Sequence, residues 1–132
     1  MRLYACLISL LFLAVPFLAT AEELVDGTKP LFCASIEANG CVSGEPCEKD
    51  LPENMGAPQF MKIDFAKKEI IGPRRTTAVL HMEKSEDQIL LQGVELGIGW
   101  VLALDRLTGK FSATLADRAG GFVIFGVCTS NF

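Results

Sequence analysis

The sequence predicts an all-β protein: a small antiparallel meander of seven to nine strands, closing as a barrel or sandwich and pinned by disulfides. A signal-peptide helix is expected ahead of it. Three observations carry the prediction. Turn-forming residues recur roughly every ten positions from residue 31 onward. Between them, apolar side chains alternate with polar ones or form short apolar runs, with no helical period. Four cysteines remain once the apolar leader is set aside, an even count in a short chain.

Residues 1–21 read as a secretory signal peptide. Arg2 is the only charge before Glu22, and an apolar or small stretch runs unbroken from Leu3 to Ala21. A basic start, an apolar middle and a small-residue exit are the marks of such a segment. Ala19-Thr20-Ala21 supplies small side chains at the two positions a signal peptidase inspects, and Pro16 breaks the apolar helix ahead of them. Cleavage is therefore expected after Ala21. An uncleaved anchor is the competing reading, but the stretch from Leu3 to Ala19 sits at the lower limit for crossing a bilayer. Cys6 lies near the front of the apolar stretch, the wrong place for lipid attachment.

Residues 22–30 have the composition of a flexible leader, and residues 31–132 form one expected β domain of about 100 residues. A first strand runs from Leu31 to Glu37 and is expected to end at Asn39-Gly40, a pair suited to positive-φ turn positions. Residues 41–58 are rich in Gly, Pro, Asn and acids, and read as an irregular excursion holding at most a short strand. Phe60 to Phe65 alternates with its odd positions apolar, as a half-buried strand does. Ala66-Lys67-Lys68 turns the chain into Glu69-Ile70-Ile71-Gly72, which Pro73 ends because it offers no N–H to a ladder.

Thr76 to Met82 is the next strand, Lys84 to Asp87 a charged turn, and Gln88 to Gln92 another strand. Val94, Leu96, Ile98, Trp100, Leu102 and Leu104 share one parity, too long a run for a single strand. A break is expected near Glu95–Gly97, where glycine tolerates a turn. Residues 105–110 make a hairpin loop, Phe111 to Ala116 alternates outward, and Ala119-Gly120-Gly121 turns again. Phe122 to Cys128 then closes the domain as a near-continuous apolar strand. An edge strand of that kind invites aggregation, so it is expected to pair with the first and close a barrel.

Cys33, Cys41, Cys47 and Cys128 permit three pairings. The expected set is Cys33–Cys128, tying the opening strand to the closing one, with Cys41–Cys47 clamping the irregular excursion. Loop-closure entropy puts the first at about 4–5 kcal/mol and the second at about 2 kcal/mol. Paired cysteines in a small chain agree with an exported protein, since disulfides persist in oxidising compartments.

Chemistry-bearing constellations are sparse. His81 is the only histidine and has no His-x-x-x-His or Cys-x-x-Cys context. It reads as a strand-face residue near a strand end. No Gly-x-Ser-x-Gly occurs, so no catalytic residue is named and the chain is not expected to be an enzyme. Glu45, Glu48, Asp50 and Glu53 crowd the excursion after Cys41 without the spacing of a calcium loop, so no metal and no cofactor is expected. Clamped loops on rigid scaffolds nevertheless carry binding function, which makes these acids the first candidate partner surface. Lys67, Lys68, Arg74 and Arg75 form the one basic cluster, the second candidate surface. Lys and Arg number 12 against 16 Asp and Glu, a balance that disfavours nucleic acid as partner. Trp100, on the most apolar parity, reads as a core residue over neighbouring glycines.

Leu91-Gln92-Gly93, the run Gly99 to Gly109 and the ending Phe125-Gly126-Val127-Cys128-Thr129 resemble uncharacterised small exported alphaproteobacterial proteins. That resemblance covers roughly the last forty residues and the early cysteines; it implies an envelope address and no activity. A looser likeness, at the level of fold, is to periplasmic inhibitors of C-type lysozyme. Those are small β-barrels behind a signal sequence, with a disulfide joining early and late chain. Their serine- and tyrosine-containing motif has no counterpart here, and Tyr4, the one tyrosine, leaves with the signal peptide. The likeness therefore implies a scaffold and no mechanism.

The expected function is a periplasmic or secreted non-enzymatic binding module for an unknown envelope protein or ligand, without a stable membrane span after cleavage. The alternatives are a small hydrophobic-ligand carrier with a lipocalin-like cavity, and a lysozyme-inhibitor-like protein.

Overall fold

A computed structural model describes residues 25–131, so the expected signal segment lies outside the described residues. In chain order the strands are β1 (Leu31–Val42), β2 (Glu48–Asp50), β3 (Phe60–Asp64), β4 (Glu69–Ile71), β5 (Thr76–Ala78), β6 (His81–Lys84), β7 (Gln88–Glu95), β8 (Ile98–Asp105), β9 (Lys110–Ala116) and β10 (Gly120–Thr129). A single turn of 3-10 helix, Pro52–Met55, separates β2 from β3. The fold is all-β and every pairing is antiparallel.

One sheet holds all the strands in the order β5-β4-β3-β1-β10-β9-β8-β7-β6, with β2 paired to β1 off that path. The two ends of the path, β5 and β6, are halves of one stretch interrupted only at Val79 and Leu80. These neighbours bond in opposite directions: Val79 N donates to Lys68 O at 2.8 Å, and Leu80 N donates to Gln92 O at 2.8 Å. The sheet thus curls until its first and last strands share a seam, and chain order runs around it as an up-and-down meander. Gly93 makes that seam possible. A Cβ there would stand 2.7 Å from Ala78 O and would overlap the Trp100 ring, which lies across it.

Alternation sets the inside. Ile89, Leu91, Leu102 and Leu104 meet Leu31 and Ile63 in a core that fills the interior with aliphatic side chains, each of them fully buried. Trp100 joins this core, as its parity predicts. The expected break at 95–97 is a tight turn in which Leu96 and Gly97 both take positive φ, 50° and 83°. That is the pairing of conformations a right-twisted hairpin prefers.

β1 departs from its expected length. It passes through Asn39 and Gly40 without turning, because Asn39 pairs with Val123 on one side and Lys49 on the other, and Gly40 with Phe122 and Glu48. Pairing on both flanks outweighs the local turn preference. The glycine instead accommodates Met55, whose Cε would lie 3.3 Å from an added Cβ. The strand's irregularity is a bulge between Ser35 and Glu37, which leaves Ile36 unpaired and 63% exposed.

Of the leader expected over 22–30, the described part is fastened beneath the β8–β9 loop. Val25 N donates to Arg106 O at 2.7 Å and Arg106 Nε donates to Val25 O at 2.9 Å. Exposed turns are held by carboxylates. Backbone and hydroxyl hydrogen bonds from Thr108, then the Leu107 N–H and the nearby Lys110, hold Asp105 below the usual carboxylate range. Thr28 does the same for Asp26, chiefly through its hydroxyl. A carboxylate with a depressed folded pKa adds stability above its unfolded pKa and loses it as pH falls through the folded value. The urea midpoint is therefore expected to hold from neutrality to about pH 5 and to fall below about pH 4. A midpoint that rises through that acid range contradicts this assignment of the turns.

Candidate functional site

Register places the clamped loop at one rim of the curled sheet. Val42 pairs with Gly120, Gly121 with Ala116, and Ala116 with Gly99, so the end of β1 meets the β9–β10 and β7–β8 turns there. The two disulfides join the pairs the sequence predicts. Cys33–Cys128 links directly opposed residues of β1 and β10, with Cα atoms 4.0 Å apart and both side chains inside the core. Cys41–Cys47 closes the excursion at the rim, and both of its cysteines are exposed. The two bonds are therefore expected to differ in access. Mild reductant followed by alkylation and mass spectrometry should label Cys41 and Cys47 while Cys33 and Cys128 stay linked. Equal labelling of all four contradicts the assigned burial.

Between the clamped loop and the turn-bearing rim lies a cleft of about 360 Å³. Val42, Met55, Ile98 and Phe122 give it apolar walls, and Glu45, Glu48 and Asp117 bring carboxylates to it. Glu45 and Glu48 are exposed, and β2 fixes Glu48 by pairing it with Gly40. The other two acids of the expected cluster stand apart. Asp50 steadies the entry to the 3-10 turn, accepting from Leu51 N at 2.7 Å and from Asn54 Nδ2 at 2.8 Å. Those two bonds, the Asn54 side chain first, hold its carboxyl below the usual range. Glu53 is exposed within that turn, where its carbonyl accepts from Gly56 N. The four acids thus divide into two at the cleft and two in a structural turn. Among the described residues, no group of three or more His, Cys, Asp or Glu could hold a metal ion.

The basic cluster divides as well. Lys67 and Lys68 occupy the β3–β4 turn and Arg74 and Arg75 the β4–β5 turn, at opposite ends of the three-residue β4. Lys68 takes φ 55°, and its carbonyl receives the seam bond from Val79. Arg75 faces Glu95 at 3.8 Å near the β7 end. His81 opens β6 on the exposed side, paired across to Gln92, which is the strand-face position expected of it.

Sequence reasoning missed three residues of the rim. Asp117 reaches the cleft from the β9–β10 hairpin, and Met55 reaches it from the 3-10 turn. Leu96 is the third: a branched apolar side chain, 78% exposed, in a left-handed backbone conformation. Only the position of Leu96 before Gly97 hinted at the strain. Among the described residues, no helix is long and apolar enough to cross a membrane. Comparison with protein-family models, with curated proteins and with solved structures finds no match to this chain.

Proposed function

We propose that this protein is a non-enzymatic binding module of an oxidising, extracytoplasmic compartment, and that it engages its partner through the rim of the clamped loop. One observation carries the reading. At the rim an apolar cleft edged with carboxylates adjoins a strained, exposed leucine. A non-glycine residue held in the left-handed region costs about 1–2 kcal/mol, and such strain concentrates at functional sites. Asparagine or glycine at position 96 would relieve it. A leucine that neither packs into the core nor suits its backbone fits an anchor for a partner.

The partner chemistry follows from the walls. Glu45, Glu48 and Asp117 suit a basic side chain, and Val42 and Ile98 of the cleft, with Leu96 exposed in the turn just before Ile98, suit an apolar neighbour beside it. A protein segment carrying both is the occupant this rim fits best. The filled interior favours this reading over a carrier with a central lumen, since Leu31, Ile63, Ile89, Leu91, Leu102 and Leu104 occupy that space. Export rests on the leader sequence, and the periplasm is its simplest destination.

Replacing Leu96 with asparagine is expected to stabilise the fold by about 1 kcal/mol in urea unfolding while weakening partner capture. A destabilised variant argues that the leucine serves the fold. The direct test is photo-cross-linking in the exporting cell, with the reactive group at Val42 and a control at Leu107 on the opposite end. A discrete adduct from Val42, lost on combining Glu45→Lys with Glu48→Lys, is expected. Identical patterns from both positions would overturn the assignment of the rim.

A further inference from the structure

The outer face of the sheet around β10 carries more apolar surface than a solvated strand face needs. Phe60 is 60% exposed, Phe125 44% and Val127 39%, and the β1 bulge turns Ile36 outward beside them at 63%. Register gathers these residues. Phe60 opposes Ala34, Ala34 opposes Val127, and Phe125 stands across from Glu37, one residue beyond Ile36. Together they present on the order of 300 Å² of apolar area, the scale at which a patch marks an interaction site. A bulge that gives up ladder pairing to expose an isoleucine points the same way.

The flanks of the patch differ in charge and shape. On the β3 side, Phe60 projects and Lys62 follows it on the same outward parity, while Glu37 is already paired with Lys49 at 2.7 Å. On the β8 side lies a second cleft of about 370 Å³, with Phe125 in its wall and Asp87 and Asp105 at its edge. Register sets the two flanks level: Phe60 aligns through Ala34 and Val127 with Lys110, which borders this cleft. A two-fold axis running along β10 would exchange the flanks. Each Phe60 would then face the other copy's cleft, and each Lys62 the other copy's acids.

We infer that this face is a homodimer interface: the outer surface of β3, β1, β10 and β9 docks on the same surface of a second copy, with Phe60 seated in the cleft beside Asp87 and Asp105. Self-complementarity of projection with cleft and of lysine with carboxylate is what an isologous contact requires. A second copy also supplies what the patch alone lacks, since a standard interface buries roughly 800 Å² on each partner. The rim cleft sits at the end of the sheet and stays open in such a pair, so this inference is independent of the proposed function.

Light scattering coupled to size-exclusion chromatography, from low micromolar to several hundred micromolar protein, tests it. Twice the monomer mass is expected at the high end. Phe60→Glu should leave a monomer throughout with an unchanged near-ultraviolet dichroism spectrum, because Phe60 is exposed in the single chain. Lys62→Asp and Asp87→Lys should each weaken association about ten-fold or more, and their combination should restore it, as reversed charges re-pair. Glu45→Lys with Glu48→Lys should leave the mass unchanged. A monomer at every concentration, or a dimer indifferent to Phe60→Glu, overturns the proposal. So does a monomer that sediments with anionic vesicles through this face.

Discussion

Replacing Cys33 and Cys128 together with alanine is expected to cost about 4–5 kcal/mol. The bond closes a loop with a sequence separation of 95, against 6 for Cys41–Cys47. Opening it returns to the unfolded chain the freedom that the longer loop had removed. It also releases the pairing that closes the sheet, since β1 and β10 are matched from Phe32↔Thr129 to Val42↔Gly120. Small domains hold roughly 5–15 kcal/mol in total, so the variant should sit near the threshold of folding. A fall in melting temperature of about 20 °C or more is the readout, whereas alanine at Cys41 and Cys47 should cost about 2 kcal/mol. Equal losses from the two pairs would mean that neither strand closure nor loop length sets the stability.

Gly93→Ala is expected to cost about 3 kcal/mol, although it adds one methyl to a strand. That methyl has nowhere to go. It would overlap Trp100 Cζ2 and stand 2.6 Å from Cε2, while the Ala78 carbonyl blocks the remaining side at 2.7 Å. The indole already lies within the buried core, and the carbonyl belongs to the last residue of β5. The result should be a loosened seam, seen as faster hydrogen exchange at the Leu80 N–H as well as a lower urea midpoint. Trp100→Phe should partly rescue it by shortening the ring. That single replacement should also cost less than a typical core truncation, because among the described residues the buried Trp100 Nε1 has no hydrogen-bond partner to lose. If Gly93→Ala matches the wild-type midpoint, the seam is not closed as described.

Legibility of the fold from sequence followed how local each signal was. Most strands from Phe60 onward were visible because alternation is written in neighbouring residues, and the hairpin at Leu96-Gly97 because a long parity run must break at a glycine; Thr76 to Met82, expected as one strand, is instead divided into β5 and β6 at the two ends of the sheet path. The disulfide pairing was legible because opening and closing strands of a meander must meet. The Asn39-Gly40 turn was misread for the converse reason. Its local preference is real, but β10 and β2 flank that part of β1, and no local pattern reports both neighbours.

The candidate surfaces suffered more. Glu45, Glu48, Asp50 and Glu53 are close in sequence, yet only the first two line the cleft. Asp117 arrives there from the β9–β10 turn, far along the chain, through strand register alone. Lys67, Lys68, Arg74 and Arg75 looked like one cluster because the strand between their turns is only three residues long. An antiparallel turn at each end of that strand sends the two pairs to opposite sides. The outward Phe60 was an exception to its own strand's alternation, and its meaning depended on Val127 two strands away.

The reading of the rim presupposes a trimmed, oxidised chain, and one measurement reads both conditions. Protein recovered from the envelope of the producing cell is alkylated without reductant, digested and weighed by mass spectrometry. A first residue of Glu22, no labelled thiol, and peptides joined as Cys33–Cys128 and Cys41–Cys47 are expected. Recovery instead from the soluble cytosol, with residues 1–21 in place and four alkylated cysteines beyond them, would contradict it.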